Sequence, residues 1–169
     1  MAAVPVVELF DIAKSFGGVH ALRGVSLSIN PGEVLALVGH NGAGKSVLVQ
    51  IMSGVFQSDR GTIKVNGAPV RFRSPLDARA AAIETIYQTL ALAENLDAPA
   101  NFFLGRELRR GFGFLDKKRM AEAAAKALSA LNPEFKNIER PVRHMSGGQR
   151  QAIAIARAVH FKAKCLVMD

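Results

Sequence analysis

Residues 39–46 read Gly-His-Asn-Gly-Ala-Gly-Lys-Ser and fit the pattern Gly-x-x-x-x-Gly-Lys-[Ser/Thr]. Several N–H donors must converge on a polyphosphate at close range, and glycines clear the space that the backbone needs for this approach. A helix that starts near Lys45 adds the positive end of its dipole. Lys45 can reach the β and γ phosphates of a nucleoside triphosphate, and Ser46 can offer a hydroxyl to Mg²⁺. The stretch therefore predicts a phosphate-binding loop.

The elements around this loop agree with that prediction. Residues 34–38, Val-Leu-Ala-Leu-Val, form an apolar run that predicts a buried strand entering the loop, and residues 46–52 predict a helix leaving it. His40 is expected to be an exposed neighbour of the phosphates rather than a catalytic group. The predicted nucleotide contacts in the loop are Gly39, His40, Asn41, Gly42, Ala43, Gly44, Lys45, Ser46 and Val47.

A second motif, Met-Ser-Gly-Gly-Gln-Arg-Gln at residues 145–151, precedes an apolar helical stretch at 152–158. Taken alone, it would be an N-capped helix with a flexible entry. Downstream of a phosphate loop, however, it resembles the signature of ABC ATPases. In that family, this helix start meets the γ-phosphate of the ATP held by the opposite subunit. The resemblance assigns that contact to Ser146, Gly147, Gly148 and Gln149.

The apolar residues 165–168, Cys-Leu-Val-Met, lead into Asp169 and resemble the family's Walker B strand. The resemblance implies that Asp169 holds the Mg²⁺ shell. The glutamate that follows this aspartate in the family, and orients or deprotonates the attacking water, is not among the 169 residues. Because phosphoryl transfer depends mostly on positioning and electrostatics, we expect this chain alone to bind ATP and to hydrolyse it poorly.

Further residues are assigned by the same resemblance. Gln88, after the strand-like residues 84–87, matches a glutamine that contacts the metal and the water and links nucleotide state to the membrane partner. Phe16 stands where the family places an aromatic that stacks on adenine, although a core or surface Phe is an equal alternative from the residue alone. Val47 replaces the usual second hydroxyl residue, so one contact near the α-phosphate is lost. The implied catalytic residues are Lys45, Gln88 and Asp169, and the implied metal ligands are Ser46, Gln88 and Asp169.

The resemblance implies an α/β fold of the P-loop NTPase class and ABC ATPase type. We expect a mixed sheet core with a small antiparallel β portion and a helical subdomain, in a single domain whose C-terminal part is missing. Its parts are residues 1–90 as the ATP-binding core, 91–144 as the helical subdomain, and 145–169 as the signature helix and Walker B strand. Predicted strands of the antiparallel portion are 6–10, 25–29, 62–66 and 70–72. Asp116 is predicted to cap a helix over 117–131, which Asn132 and Pro133 end.

Composition indicates a cytoplasmic protein without a membrane span. The chain is 49% hydrophobic over 169 residues, enough for a sizeable core, and no apolar run approaches the roughly 18 residues of a membrane-spanning helix. Its N-terminus lacks the pattern of a signal peptide. Cys165 is the one cysteine, which excludes a disulfide framework and a cysteine metal cluster.

Charge is distributed unevenly along the chain. Residues 105–169 contain 14 Lys plus Arg against 6 Asp plus Glu, so this segment accounts for the whole net charge of +8. Such a segment suits a position near the anionic inner leaflet of a membrane, although acidic residues beyond the segment could equally balance it. We do not expect a nucleic acid partner, because the sequence predicts no interleaving of basic and aromatic residues and contains no recognised nucleic-acid-binding module.

Residues 84–92 and 101–107, together with 71–75, resemble the monosaccharide-importer branch of the family, of the ribose, xylose and fructose kind. The implied function is to couple ATP binding and hydrolysis to sugar import across the cytoplasmic membrane, from a peripheral position on its inner face. Implied partners are integral membrane permease subunits, a second ATP-binding domain in a dimer and, indirectly, a periplasmic sugar-binding protein. Two alternatives stay open: a non-catalytic ATP-binding fragment, and a soluble ABC ATPase not engaged in transport. The motif at 145–151 argues against a phosphate-loop kinase.

Overall fold

Strand β1 (Val7–Phe16) is a central strand of a four-stranded antiparallel sheet. The computed structural model describes residues 4–87 and 90–168. The strand order is β2-β1-β3-β4, with β2 at Val19–Ile29, β3 at Arg60–Val65 and β4 at Ala68–Val70. The predicted antiparallel portion is therefore confirmed. Strands β1, β2 and β3 are longer than predicted, and β4 keeps its predicted length but lies two residues earlier.

Side chains of one face of this sheet form a core. Leu9 lies opposite Leu27 on one side and Ile63 on the other. Side chains alternate between the two faces of a strand, so Val7 and Leu9 both point into the core. An irregularity in the register after Leu9 places Ile12 in the same core. Helix α1 (Lys45–Met52) contributes its buried side chains to this cluster.

Three further elements complete this part of the chain. Helix α2 (Pro75–Ala80) begins at a capping box formed by Ser74 and Asp77. Strands β5 (Ile83–Ile86) and β6 (Cys165–Met168) pair with each other in a second, two-stranded sheet. The predicted strand at 165–168 is thus confirmed up to the residue before Asp169.

The predicted buried strand at 34–38 is wrong in this structure. Residues 33–40 form no strand, and Val34 and Val38 are 97% and 87% exposed. A strand needs neighbouring backbone groups for its N–H and C=O bonds. Within the described residues, neither sheet includes this segment. The segment is apolar, as predicted, but its burial depends on a partner strand that the local sequence does not specify.

The second half of the chain is helical. Its described residues contain three helices: α3 (Ala98–Phe102), α4 (Lys117–Leu131) and α5 (Gly147–His160). They bury Phe102, Leu128 and Ile153 in one cluster. Two 3₁₀ turns lie at Gly111–Gly113 and Val142–His144. On α4 the buried residues Met120, Ala124 and Leu128 recur every four positions, which places them on one helix face. The predicted bounds of α4 are confirmed, and the Asp116 carboxylate accepts from Arg119 N at 3.1 Å.

The chain divides into two units, Met1–Thr85 with Ala163–Asp169, and Ile86–Lys162. The phosphate loop belongs to the first unit, whereas α5 and the motif before it belong to the second. Across residues 4–87 and 90–168, none of the helices combines the length and apolar character of a membrane span.

Candidate functional site

The loop at residues 39–46 ends at the first turn of α1, as the motif predicts. Gly42 and Gly44 have φ values of +83° and +86°, in the left-handed region that favours glycine. Gly44 is also the N-cap of α1, and its carbonyl accepts from Leu48 N at 2.9 Å. The chain therefore curls at the loop and presents the start of a helix.

Gly44 makes a close approach that Gly42 does not make. A Cβ atom at Gly44 would lie 2.5 Å from the Ala21 carbonyl oxygen and 2.8 Å from Leu22 Cδ2. A Cβ atom at Gly42 would meet nothing within 4 Å. Gly44 thus lets the loop pack against β2, while Gly42 is needed for its backbone conformation alone. Two glycines at positive φ directly before a helix fit a loop whose backbone N–H groups turn toward a phosphate.

The Lys45 side chain folds back over the loop. Its Nζ donates to the carbonyl oxygens of Gly39 at 2.6 Å and His40 at 2.8 Å. An ammonium has three N–H donors, so these carbonyls take two of them. These two bonds hold the cation against the backbone of the loop, and a bound anion could replace them.

The other loop residues take distinct positions. The His40 ring Nδ1 donates to the Asn41 carbonyl at 2.8 Å, and both residues are exposed. Ser46 is exposed in the first turn of α1, where its hydroxyl has the chemistry of a hard oxygen ligand for Mg²⁺. Val47 is half-buried and its side chain packs against the core cluster. Only its backbone N–H can therefore contact a ligand. Ala43 N donates to the His40 carbonyl at 3.2 Å, which closes the turn.

Phe16 ends β1 and is 42% exposed. Its ring meets that of Phe56 edge to face, with the centroids 5.1 Å apart, and Lys14 Nζ lies 5.5 Å from its centroid. Strand β2, which follows through a Gly-Gly turn, carries the Ala21 carbonyl that Gly44 approaches. The hairpin and the phosphate loop are therefore neighbours, and the adenine-stacking role of Phe16 remains a prediction.

The sequence interpretation missed Asp59, which holds the end of β1. Its carboxylate accepts from Lys14 Nζ and from Ser15 N, both at 2.7 Å. The hydrogen bond from Lys14, followed by that from Ser15 N, lowers the pKa of Asp59 below its usual 3.8. Asp59 and Lys14 are 45 residues apart, so no local pattern could have identified the pair.

The motif at 145–151 forms a capped helix start in the second unit. Ser146 Oγ accepts from Gln149 N at 3.2 Å, and Gln149 Oε1 accepts from Ser146 N at 3.0 Å, which is a capping box. Arg140 Nη2 also donates to Gln149 Oε1 at 2.8 Å, a contact the sequence did not indicate. Gly147 and Gly148 are exposed with open space at their Cα atoms. The helix start therefore presents backbone N–H groups to solvent.

Gln88 and Asp169 lie outside the described residues, so their predicted catalytic and metal-binding roles stay predictions. The strands that precede them in sequence, β5 and β6, are formed and paired. Burial raises the pKa of the Cys165 thiol in β6 above its usual 9.0. This thiol is neutral and is a packing group of the core rather than a nucleophile.

Comparison with known proteins decides the family. The sequence profile described as ABC transporter matches residues 22–169. The chain belongs to the ABC transporter family. The predicted fold class, an α/β P-loop NTPase of ABC ATPase type, is confirmed with it.

Two relatives of this chain are named for the import of sugars. The chain is 51% identical over 164 residues to the xylose/arabinose import ATP-binding protein of Sulfolobus acidocaldarius, covering 97% of this chain and 65% of that protein. It is 43% identical over 176 residues to the fructose import ATP-binding protein of Rhizobium meliloti, covering 100% of this chain and 68% of that protein. The chain thus spans about two thirds of the length of these relatives.

Solved structures agree with this family. An ATP-binding cassette of an ABC transporter in its ADP conformation matches with a TM-score of 0.79 at 26% identity, covering 98% of this chain and 68% of that one.

Proposed function

We propose that this chain is the nucleotide-binding part of an ABC importer ATPase that binds ATP with Mg²⁺. The observation that supports it most directly is the loop at 39–46, with Gly44 packed against β2 and Lys45 held over the loop. In this proposal, the loop N–H groups and the Lys45 ammonium hold the phosphates. Ser46, with Gln88 and Asp169, would hold Mg²⁺, whose charge neutralises the phosphate oxygens.

The helix start at 146–149 is proposed to serve a second ATP, held by another copy or another ATP-binding domain. The exposed N–H groups of Gly147 and Gly148 at the positive end of the α5 dipole suit a γ-phosphate. The capping box keeps the Ser146 hydroxyl at the same helix end. A complete catalytic site would then be shared between two subunits, and slow turnover by residues 1–169 alone remains a prediction.

A monosaccharide is proposed as the transported substrate, because the matched relatives are named for import of xylose, arabinose and fructose. The proposed partners are membrane permease subunits and, through them, a sugar-binding protein. The proposed location is peripheral, on the cytoplasmic face of the membrane. Sugar uptake by a strain that lacks this gene, with and without the restored gene, tests the substrate class. Equal uptake of each sugar in both strains would contradict it.

Lys45→Ala tests nucleotide binding. Loss of a hydrogen bond from a charged donor costs about 1.5–3 kcal/mol, which corresponds to a roughly 10- to 150-fold weaker affinity. Titration with a fluorescent ATP analogue in Mg²⁺ measures this change. Lys126→Ala, an exposed lysine of α4, is the matched control and should leave the affinity unchanged. Equal affinities for the wild type and Lys45→Ala would contradict the assignment of the loop.

A further inference from the structure

A short hairpin at residues 108–116, called here the Phe112 hairpin, projects an aromatic residue from the helical unit. Asp116 N donates to the Leu108 carbonyl at 2.8 Å, and Arg110 N donates to the Phe114 carbonyl at 2.9 Å. Arg109 and Leu115 form an antiparallel bridge between the two arms. The Arg109 guanidinium also donates to the Gly113 carbonyl at 3.1 Å. These bonds hold the two arms together, so the residues at the tip have a fixed backbone conformation.

The tip is apolar. Phe112 is fully exposed, and Phe114 is 65% exposed. Phe112 has φ of +60°, a conformation that is costly for a bulky side chain and that points to a constraint other than local preference. Leu108 at the base packs against the core cluster of this unit, but that cluster does not include Phe112 or Phe114. Among the described residues, the aromatic side chains of this tip therefore make no contribution to the core.

Cations flank the tip on both sides. Arg109 and Arg110 lie in the first arm, and Lys117, Lys118 and Arg119 form the first turn of α4 directly after the second arm. All five side chains are exposed. Basic residues in a first turn are opposed by the helix dipole, so they do not serve helix stability. In the described part of the chain, the ion pairs do not involve Arg110, Lys117, Lys118 or Arg119.

We propose that the Phe112 hairpin docks on an anionic lipid surface, with Phe112 and Phe114 entering the headgroup region and the five cations contacting lipid phosphates. A lipid surface accepts a projecting aromatic tip without a preformed pocket, and its negative potential complements the surrounding cations. The predicted absence of interleaved basic and aromatic residues is therefore wrong for residues 109–119, which carry both types in one hairpin. The physiological setting rests on the peripheral location proposed above. The lipid contact itself needs no nucleotide and is measured without it.

The chain contains no tryptophan, so Phe112→Trp introduces a single fluorescent reporter at the tip. We expect its emission to shift to shorter wavelength with vesicles of about 30% phosphatidylglycerol in phosphatidylcholine, and not with pure phosphatidylcholine. Raising the salt from about 0.1 M to about 1 M should reverse the shift, because the Debye length falls from about 10 Å to about 3 Å. Phe10→Trp, at an exposed phenylalanine of β1 in the other unit, is the matched control and should not respond.

Vesicle sedimentation measures how much each group contributes. Phe112→Ser should lower the partition coefficient about tenfold or more, and Arg110→Ser about fivefold. Phe10→Ser and Arg23→Ser change the same residue types in exposed positions of β1 and β2, and should leave partitioning within about twofold of the wild type. Circular dichroism confirms folding of each variant, and ATP-analogue affinity should be the same in all of them.

The proposal is overturned if the emission wavelength of Phe112→Trp does not shift with anionic vesicles, or if the hairpin variants and their controls have the same partition coefficients. Loss of co-purification with permease subunits, at unchanged partitioning onto bare vesicles, would assign the hairpin to a protein contact and also overturn it. Failure of lipid binding with intact ATP binding leaves the nucleotide function untouched. Failure of ATP binding with intact partitioning refutes that function and leaves the lipid contact.

Discussion

Gly44→Ala and Gly42→Ala form a matched pair that separates two reasons for a glycine in the phosphate loop. Both residues have φ near +85°, so each alanine incurs a left-handed strain of about 1–2 kcal/mol. This strain is partly offset by about 0.4–1 kcal/mol, because alanine restricts the unfolded chain. We therefore expect Gly42→Ala to lower the free energy of unfolding by about 0–1.6 kcal/mol.

Gly44→Ala adds a steric conflict. Its Cβ atom would lie 2.5 Å from the Ala21 carbonyl oxygen, which belongs to backbone of β2 and cannot rotate away. Forced backbone shifts typically cost about 1–3 kcal/mol, so with the strain the total should reach about 1–4.6 kcal/mol. Because Gly44 is the N-cap of α1, the shift should also displace Lys45 and weaken ATP-analogue binding about tenfold or more.

Urea unfolding followed by circular dichroism, together with analogue titration, measures both effects. The expected order in both assays is wild type, then Gly42→Ala, then Gly44→Ala. If the two variants lose the same stability and the same affinity, the packing of Gly44 against β2 has no energetic role, and the reasoning from this close approach is refuted.

Three further outcomes test other parts of the structure. Gly148→Ala, at an open position in the first turn of α5, should raise the free energy of unfolding by up to about 1 kcal/mol, and urea titration would contradict this by showing a loss. Since Asp59 has a lowered pKa, its stabilisation is complete above pH 3.8 and lost as the pH falls through its folded value. The stability gap between the wild type and Asp59→Asn should therefore close in acid, and a constant gap would refute the Lys14 contact. Because Cys165 is buried and its pKa is raised, a thiol reagent at about pH 8 should label it much more slowly in the native chain than in urea, and equal rates would show that β6 is open.

Features determined by local chemistry were predictable from the sequence. The loop at 39–46 and the start of α1 follow from glycines that must adopt positive φ and from a lysine placed at the helix start. Helix α4 begins and ends where Asp116 and Asn132 predict, because capping and a four-residue apolar repeat act within one segment. The capping box of α5 is likewise contained in Ser146 and Gln149.

Only the tertiary structure decided features that need partners distant in sequence. Residues 34–38 have the composition of a buried strand, yet they are exposed where no described strand supplies hydrogen bonds. Asp59 reaches Lys14 across 45 residues, and Gly44 meets a carbonyl of β2, which no local pattern could indicate. In each case the residue types were visible in the sequence, but their partners were chosen by packing and backbone pairing, which act through space.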